Sequence, residues 1–360
     1  MGLRAEDPVL LRRVAQQLEK HAFKGWFYGD SVGFEGLVAA GDMLGVDTWQ
    51  DFSHGFFRAW ATRMEPFQPD DNTAPGHVMC ELVKRTDDQV LKAAVLRLAD
   101  HLYARRRVRG VAITFEDTLR ALRQPYGGVP LGAADQALMQ DPGAGIWLDC
   151  MHFDPPFYAH LSEIAGAQWA QRAVDEILAY CELLYDPDLG LYDHYWLERT
   201  ERSYIHGWGR GQGWALLGLL DVVAHADPAT PGHADVRARA RALAAAMVGF
   251  QLDDGNWWAM VHEAESGAES STAAFMACAF YRGIRLGVLD AETFRAPADR
   301  AFAAMSNNLD ADGNLQGVSA AVYAALVQEH YWHVPRGLIV PWGQGPALTA
   351  VQARRQLIGS

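Results

Sequence analysis

The chain has 360 residues, of which 50% are apolar and 21% charged, and it carries a formal net charge of −13. The apolar fraction is that of an ordinary globular protein, and the acidity excludes a nucleic-acid partner, whose phosphates need clustered Lys and Arg. No run of about 20 apolar residues is present, so no membrane span is expected.

In chain order, Val9 to Leu18 spaces its apolar residues as an amphipathic helix does, and the charged N-terminus shows no apolar signal region. A less polar helix follows from Gly33 to Leu44, and another from Pro75 to Val83. Val90 to Leu102 is again polar on one side. The basic run Arg105-Arg106-Arg107-Val108-Arg109 behind it reads as a solvated helix C-terminus, favoured by the dipole. Apolar 155–164 precedes polar-faced 174–184, and apolar 213–223 precedes polar-faced 236–248. Apolar 272–286 and 346–356 complete the series. Pro75, Pro155 and Pro346 suit first-turn positions, where the missing N–H is not needed. Sustained strand alternation is scarce.

A polar-faced helix, a loop and an apolar helix thus recur about six times, at roughly 45–70 residues per unit. A concentric all-α barrel satisfies this pattern, with inner helices covered all round and outer ones on one face. No linker divides the chain, so one barrel over 1–360 is expected. Cys80, Cys150, Cys181 and Cys278 are scattered without a CxxC pair. They fit reduced thiols in a cytoplasmic protein.

The loops before the apolar helices hold most of the unusual residues. The chain has 12 Trp and 12 Tyr, and aromatic rings near Asp, Glu, His and Gly suit a cleft that stacks on sugar faces. The loops are Trp26-Phe27-Tyr28-Gly29-Asp30, Asp70-Asp71-Asn72-Thr73, Trp147-Leu148-Asp149, His206-Gly207-Trp208-Gly209-Arg210 and Asn256-Trp257-Trp258. On a barrel they converge at one end. Asp149 stands out because its neighbours, Ile146 to Phe153, are mostly apolar. Burial there costs several kcal/mol, roughly, unless the carboxylate is paired or protonated. It also raises the pKa, as a general acid requires. From this run alone, a structural Asp capping a turn explains the residue equally well.

These loops resemble the unsaturated glycuronyl hydrolases, glycoside hydrolase families 105 and 88, and family 105 most strongly. Six motifs occur in the family's order. Asp71-Asn72-Thr73-Ala74-Pro75-Gly76 is similar to Asp-His-x-Asn-Pro-Gly, with Asn72 and Ala74 departing. Trp147-Leu148-Asp149 is similar to the Trp-x-Asp segment that holds the family's general acid/base. Gly190-Leu191-Tyr192-Asp193-His194-Tyr195-Trp196 resembles Gly-Leu-Tyr-x-His-Gly-Trp, with Leu197 where an acidic residue is usual. Trp208-Gly209-Arg210-Gly211-Gln212-Gly213-Trp214 resembles Trp-x-Arg-Gly-Asn-Gly-Trp and is the most specific of the six. Glu269-Ser270-Ser271-Thr272-Ala273 and Gly343-Gln344-Gly345-Pro346 complete the set.

The resemblance implies an (α/α)6 barrel and a hydration reaction at the C4=C5 double bond of a terminal unsaturated uronic acid, on a small oligosaccharide left by a polysaccharide lyase. Asp149 is then the acid/base and Asp71 its catalytic partner. A second carboxylate nearby helps keep one of the two protonated. The residues expected at the sugar are His194, Trp208, Arg210, Trp214, Asn72, His152 and Trp26. Arg210 suits the uronate through paired bonds, and a buried salt bridge explains it nearly as well. Trp214 fits inner-helix packing as readily as a stacking wall. His152, three residues after Asp149, is placed to share its face. Glu269 also suits a cap of the helix containing Thr272.

No metal-ligand spacing and no cofactor motif is visible, and no Gly-x-Ser-x-Gly elbow is present. Three other readings remain at this level. An inverting glycosidase on a saturated sugar needs two carboxylates roughly 6.5–9.5 Å apart. An isomerase or epimerase needs a His pair, for which only His194 and His206 qualify. A non-catalytic sugar-binding barrel needs neither. The stretch Thr118 to Asp141 matches no motif and is a candidate for shaping substrate choice.

Overall fold

Helices apolar on one face and helices apolar all round resolve into two concentric rings. The computed structural model describes residues 4–25, 27–63, 67 and 76–359. Its helices are α1 (Pro8–Glu19), α2 (Tyr28–Leu44), α3 (Thr48–Arg63), α4 (Gly76–Thr86), α5 (Gln89–Tyr103), α6 (Ala133–Leu138) and α7 (Asp154–Ala165). They continue as α8 (Gln168–Leu184), α9 (Gly209–His225), α10 (His233–Gly249), α11 (Ser270–Arg285), α12 (Ala291–Asn307), α13 (Glu329–Trp332) and α14 (Pro341–Ile358). Helices α2, α4, α7, α9, α11 and α14 pack each against the next, and α14 returns to α2, which closes the inner ring. Helices α1, α3, α5, α8, α10 and α12 lie outside it. Helix α9 buries every residue from Gly209 to Val223. Helix α10, also 17 residues long, buries only His233, Val236, Ala240, Leu243, Ala244 and Met247, the stripe of an amphipathic helix. This is the (α/α)6 barrel.

Each inner helix follows an outer one that runs the opposite way, so the inner helices share one direction. Their N-termini, and the loops that lead into them, therefore gather at one end. Side-chain caps fix several starts. Asp7, Asp88 and Asp290 cap α1, α5 and α12, and Glu269 caps α11 through the Thr272 N–H. Glycines let the inner helices approach closely. A Cβ on Gly345 would lie 2.0 Å from the Val32 carbonyl oxygen of α2. One on Gly218 of α9 would lie 2.0 Å from that of Met151.

Among the described residues seven short strands decorate the loops: β1 (Arg107–Val108), β2 (Val111–Ala112), β3 (Gly145–Trp147), β4 (Tyr185–Asp186), β5 (Leu191–Tyr192), β6 (Tyr195–Leu197) and β7 (Arg202–Tyr204). β1 pairs with β2 and β4 with β5, while β3, β6 and β7 form an antiparallel sheet in that order. Among the described residues no helix is long and apolar enough to cross a membrane.

Some details differ from the sequence reading. Helix α2 begins at Tyr28 rather than near Gly33, because glycines that weaken helix propensity are tolerated where they admit a neighbouring helix. Helix α14 begins at Pro341, so Pro346 sits inside it rather than in the first turn. Pro75 lies outside the described residues. The run Arg105 to Arg109 is not a solvated helix end. Arg105 donates to the carbonyls of Ile113 and Thr114 at 2.5 and 2.8 Å. Arg106 pairs with Glu116 and Glu198, and Arg107 with buried Glu176 at 2.9 Å.

Gly218→Ala should be destabilising even though Ala is the better helix former by about 1 kcal/mol. The added methyl meets backbone, which cannot rotate away. A loss of about 1–3 kcal/mol is expected in denaturant unfolding, and an unchanged or raised midpoint would show that α9 yields freely.

Candidate active site

The site begins with strand register. β3 pairs with β6 so that Ile146 faces Trp196 and Trp147 faces Tyr195. The next residues along each strand continue the match, and the Leu148 N–H donates to the His194 carbonyl at 2.8 Å. The chain then turns into a 3₁₀ segment, Leu148–His152, which carries Asp149. Asp149 and His194 are thereby brought side by side from positions 45 residues apart. The Asp149 Oδ2 lies 3.3 Å from His194 Nε2. This is ion-pair range without hydrogen-bond geometry, and the oxygen has no hydrogen-bond partner among the described residues. The Asp149 side chain keeps 12% of its surface exposed and that of His194 keeps 3%.

His194 is held on every side. Its N–H donates to the Tyr204 and Ile205 carbonyls at 3.1 and 3.0 Å, its Nδ1 bonds the Tyr331 hydroxyl, and its ring lies 4.3 Å from that of Trp208. Burial pushes the Tyr331 phenol well above its usual range. Tyr195 and the Asp149 carboxylate add to this while Arg210 opposes it. Burial likewise raises the Tyr28 phenol, with Arg210 pulling against and Asp149 adding to the shift. Two protonated phenols therefore border the carboxylate. Neither carries a motif signal in the sequence, since Tyr331 comes from a segment without family resemblance and Tyr28 reads as one more aromatic.

Of the expected site residues, the structure brings Asp149, His194 and Trp208 together. Asp71, Asn72 and Trp26 lie outside the described residues. Arg210 is placed differently from a uronate-binding group. It is 1% exposed, and its guanidinium meets Glu269 at 3.3 Å, the Ser319 hydroxyl at 2.7 Å and the Ala320 carbonyl at 3.2 Å. Desolvation of a guanidinium demands such partners, so the salt-bridge alternative describes it. Glu269 accordingly both caps α11 and pairs with Arg210. Trp214 is fully buried, packing on His152, Phe153 and Phe275 as a floor rather than a wall. His152 is also fully buried. It bonds Glu35 at 2.8 Å and faces Asp221 at 3.8 Å rather than Asp149. His206 does not pair with His194 as an isomerase would require. Its Nδ1 meets Asp193 at 2.7 Å and Asp186 at 3.1 Å, and the Asp193 hydrogen bond raises its pKa.

Two glutamines account for much of the motif spacing. Gln212 accepts from the Tyr192 N–H at 3.0 Å and donates to its carbonyl at 2.8 Å. Gln344 does the same for the Leu315 N–H and the Gly313 carbonyl. Each ties the start of an inner helix to the preceding hairpin, and the Tyr192 clamp sits two residues before His194. The unmatched stretch 118–141 packs on the loop that carries Tyr331. Tyr126 stacks on His330 at 4.7 Å and donates its N–H to that ring at 3.0 Å. Arg123 lies 4.4 Å over Tyr323, which is 44% exposed with a left-handed φ of 45°. Where sequence spacing shows no ligand cluster, the fold gathers three His/Asp/Glu groups among the described residues: Glu35 with His77 and His152, His160 with Asp221 and His225, and Asp186 with Asp193 and His206.

With this geometry in place, the comparisons with known proteins are specific. The chain is 24% identical over 277 residues to the unsaturated rhamnogalacturonyl hydrolase YesR of Bacillus subtilis, covering 76% of this chain and 73% of that one. Its fold is similar to that of a possible member of family GH105 from Klebsiella pneumoniae, with a TM-score of 0.78, 17% identity, and 97% and 92% of the two chains covered. It is also similar to the unsaturated glucuronyl hydrolase of Bacillus sp. GL1, responsible for glycosaminoglycan degradation, with a TM-score of 0.70, 16% identity, and 98% and 96% covered. The profile of Glycosyl Hydrolase Family 88 matches residues 10–357, nearly the whole chain, and the protein belongs to that family of glycoside hydrolases.

Proposed function

We propose that this enzyme hydrates the C4=C5 bond of a 4,5-unsaturated uronic acid at the end of a short, lyase-generated oligosaccharide, with Asp149 as the acid and then the base. The observation that carries the reading is the Asp149 carboxyl itself. It is nearly buried, has an oxygen without a hydrogen-bond partner among the described residues, and lies beside a fixed His194 at the end of the barrel where the inner-helix N-termini gather.

Asp149 gives its proton to C4, and positive character builds on C5 and the ring oxygen. The carboxylate left behind takes a proton from the water that adds at C5. The hemiketal opens to a ketone at C5, and the hemiacetal this leaves at C1 releases the aglycone. His194 orients the acid. With the Tyr331 hydroxyl donating to Nδ1, Nε2 is the protonated nitrogen and lies 3.3 Å from Asp149 Oδ2, close enough to hydrogen-bond once substrate turns the carboxyl, and the raised pKa of that phenol keeps its donor in place. Trp208 holds the imidazole from the side. Arg210 is committed to Glu269, so the uronate charge is met by helix ends, whose free N–H groups favour anions. Asp71 remains the proposed second carboxylate, and Trp26 and Asn72 proposed sugar contacts. Tyr323, exposed beside Arg123, is suited to stack on the aglycone. The buried cysteines, none in a disulfide, suit a reducing compartment, and the cytoplasm is the proposed location.

The purified protein should abolish the enol-ether absorbance of lyase-derived disaccharides. In D2O the released uronyl product should carry one deuterium on C4. A product that keeps its double bond would mean direct glycosidic cleavage and would remove the hydration mechanism. Asp149→Asn should lower kcat by about 10²- to 10⁴-fold, the usual worth of a positioned acid/base, with the unfolding midpoint retained. Tyr331→Phe should cost about 3- to 10-fold, one hydrogen bond's worth, mostly in kcat. An effect confined to KM would assign that hydroxyl to substrate binding instead.

A further inference from the structure

Below the Trp214 floor the barrel axis is polar. A cavity of about 280 Å³ is lined by Glu35, His77, His160 and Asp221 at depth, and by Asp42, Glu81, Arg85 and Arg285 toward its mouth. The mouth residues belong to the C-terminal halves of α2, α4 and α11, so the cavity opens at the end opposite the catalytic cleft. At its inner limit His77 Nε2 and His152 Nε2 both meet Glu35 Oε1, at 2.9 and 2.8 Å. The three ligand atoms lie within 4.8 Å of one another. His77 is 4% exposed and His152 0%.

We infer that Glu35, His77 and His152 form a zinc-class divalent metal site, reached through this cavity and separate from the hydration chemistry. Two imidazoles and one carboxylate are a common zinc donor set, with an open position left for a further ligand. Bonds of 2.0–2.2 Å in tetrahedral array set donor atoms about 3.3 Å apart. Opening the present 2.8 and 2.9 Å separations by a few tenths of an ångström is within reach of the Glu35 side chain, which is 16% exposed.

Among the described residues His77 Nδ1, His152 Nδ1 and Asp221 Oδ2 are buried without a hydrogen-bond partner, and buried polar atoms of this kind call for a further partner. One pair among them faces each other at ion-pair distance, a short movement from the hydrogen bond of an outer-shell metal contact. His152 Nδ1 faces Asp221 Oδ2 at 3.8 Å, and Asp221 is anchored by Arg282. Metal-bound imidazoles characteristically donate their second N–H to such a carboxylate. Chain spacing gives no hint of the site, because its ligands come from α2, α4 and the 3₁₀ turn before α7.

The test uses the full chain, stripped with a chelator and titrated with Zn²⁺ alone. One zinc per chain is expected after gel filtration, lost in His77→Gln and retained in His160→Gln and His206→Gln. Loss in His160→Gln with retention in His77→Gln would move the ion to the second cluster and overturn the assignment. Absence of stoichiometric zinc in the unaltered protein would overturn it as well. Zinc-soaked crystals of the unaltered protein make the outcome independent of how the variants fold. An anomalous peak between Glu35, His77 and His152 is the expected result, and a peak elsewhere or none at all refutes it.

Discussion

The short antiparallel pairing of β3 with β6 is the constraint on which the catalytic end depends. An (α/α)6 barrel supplies a ring of helix starts, but helices alone leave the acid and its neighbour on separate loops. The ladder removes that freedom. Once Trp147 faces Tyr195, the hydrogen bond from Leu148 to His194 follows, and the side chains of Asp149 and His194 have little choice but to meet. Stacking of Trp147 on Tyr195 at 5.0 Å, and of Tyr195 on Tyr204 at 5.3 Å, fixes the sheet's outer layer. Register slips invert every side chain in a strand, so these aromatic pairs protect the geometry of the acid as well as the sheet.

Much of what a motif search reads as active site is the frame that holds it. Arg210 and Glu269 form an internal ion pair that ties α9 to α11 and, through Ser319 and Ala320, to the loop before α14. Burying such a pair is close to neutral in energy, while leaving one partner alone is costly. Its contribution is therefore specificity: three loops must arrive together or not at all. Gln212 and Gln344 act in the same way on neighbouring hairpins.

The barrel was legible in the sequence because burial leaves a periodic trace. Helix α10 shows a stripe and α9 shows none, and that contrast distinguishes outer from inner helices without coordinates. The Asp149 run and the His194 loop stood out through motif resemblance, and the structure places the two side chains together. The roles of Arg210, Trp214 and His152 were not, because residue type states what a side chain can do and only packing states what already occupies it. An Arg between glycines looks the same whether a uronate or a glutamate faces it. The helix starts at Tyr28 and Pro341 were obscured by the glycines that let α2 and α14 interlock at Gly36 and Gly345. Tyr331 left no trace, since its hydroxyl acts on a histidine 137 residues away.

His152 shows why adjacency along a turn is a poor guide to shared function. In a 3₁₀ turn residues three apart eclipse one another, and the rise separates them by about 6 Å along the turn axis. Asp149 and His152 are thus stacked rather than side by side. The upper meets the cleft and His194, and the lower meets Glu35, Asp221 and the polar axis of the barrel. Trp214, packed against His152 and 6.4 Å from Tyr28, closes the space between the two environments. A turn of five residues, Leu148–His152, thus serves two environments at once, while Trp214 keeps them apart.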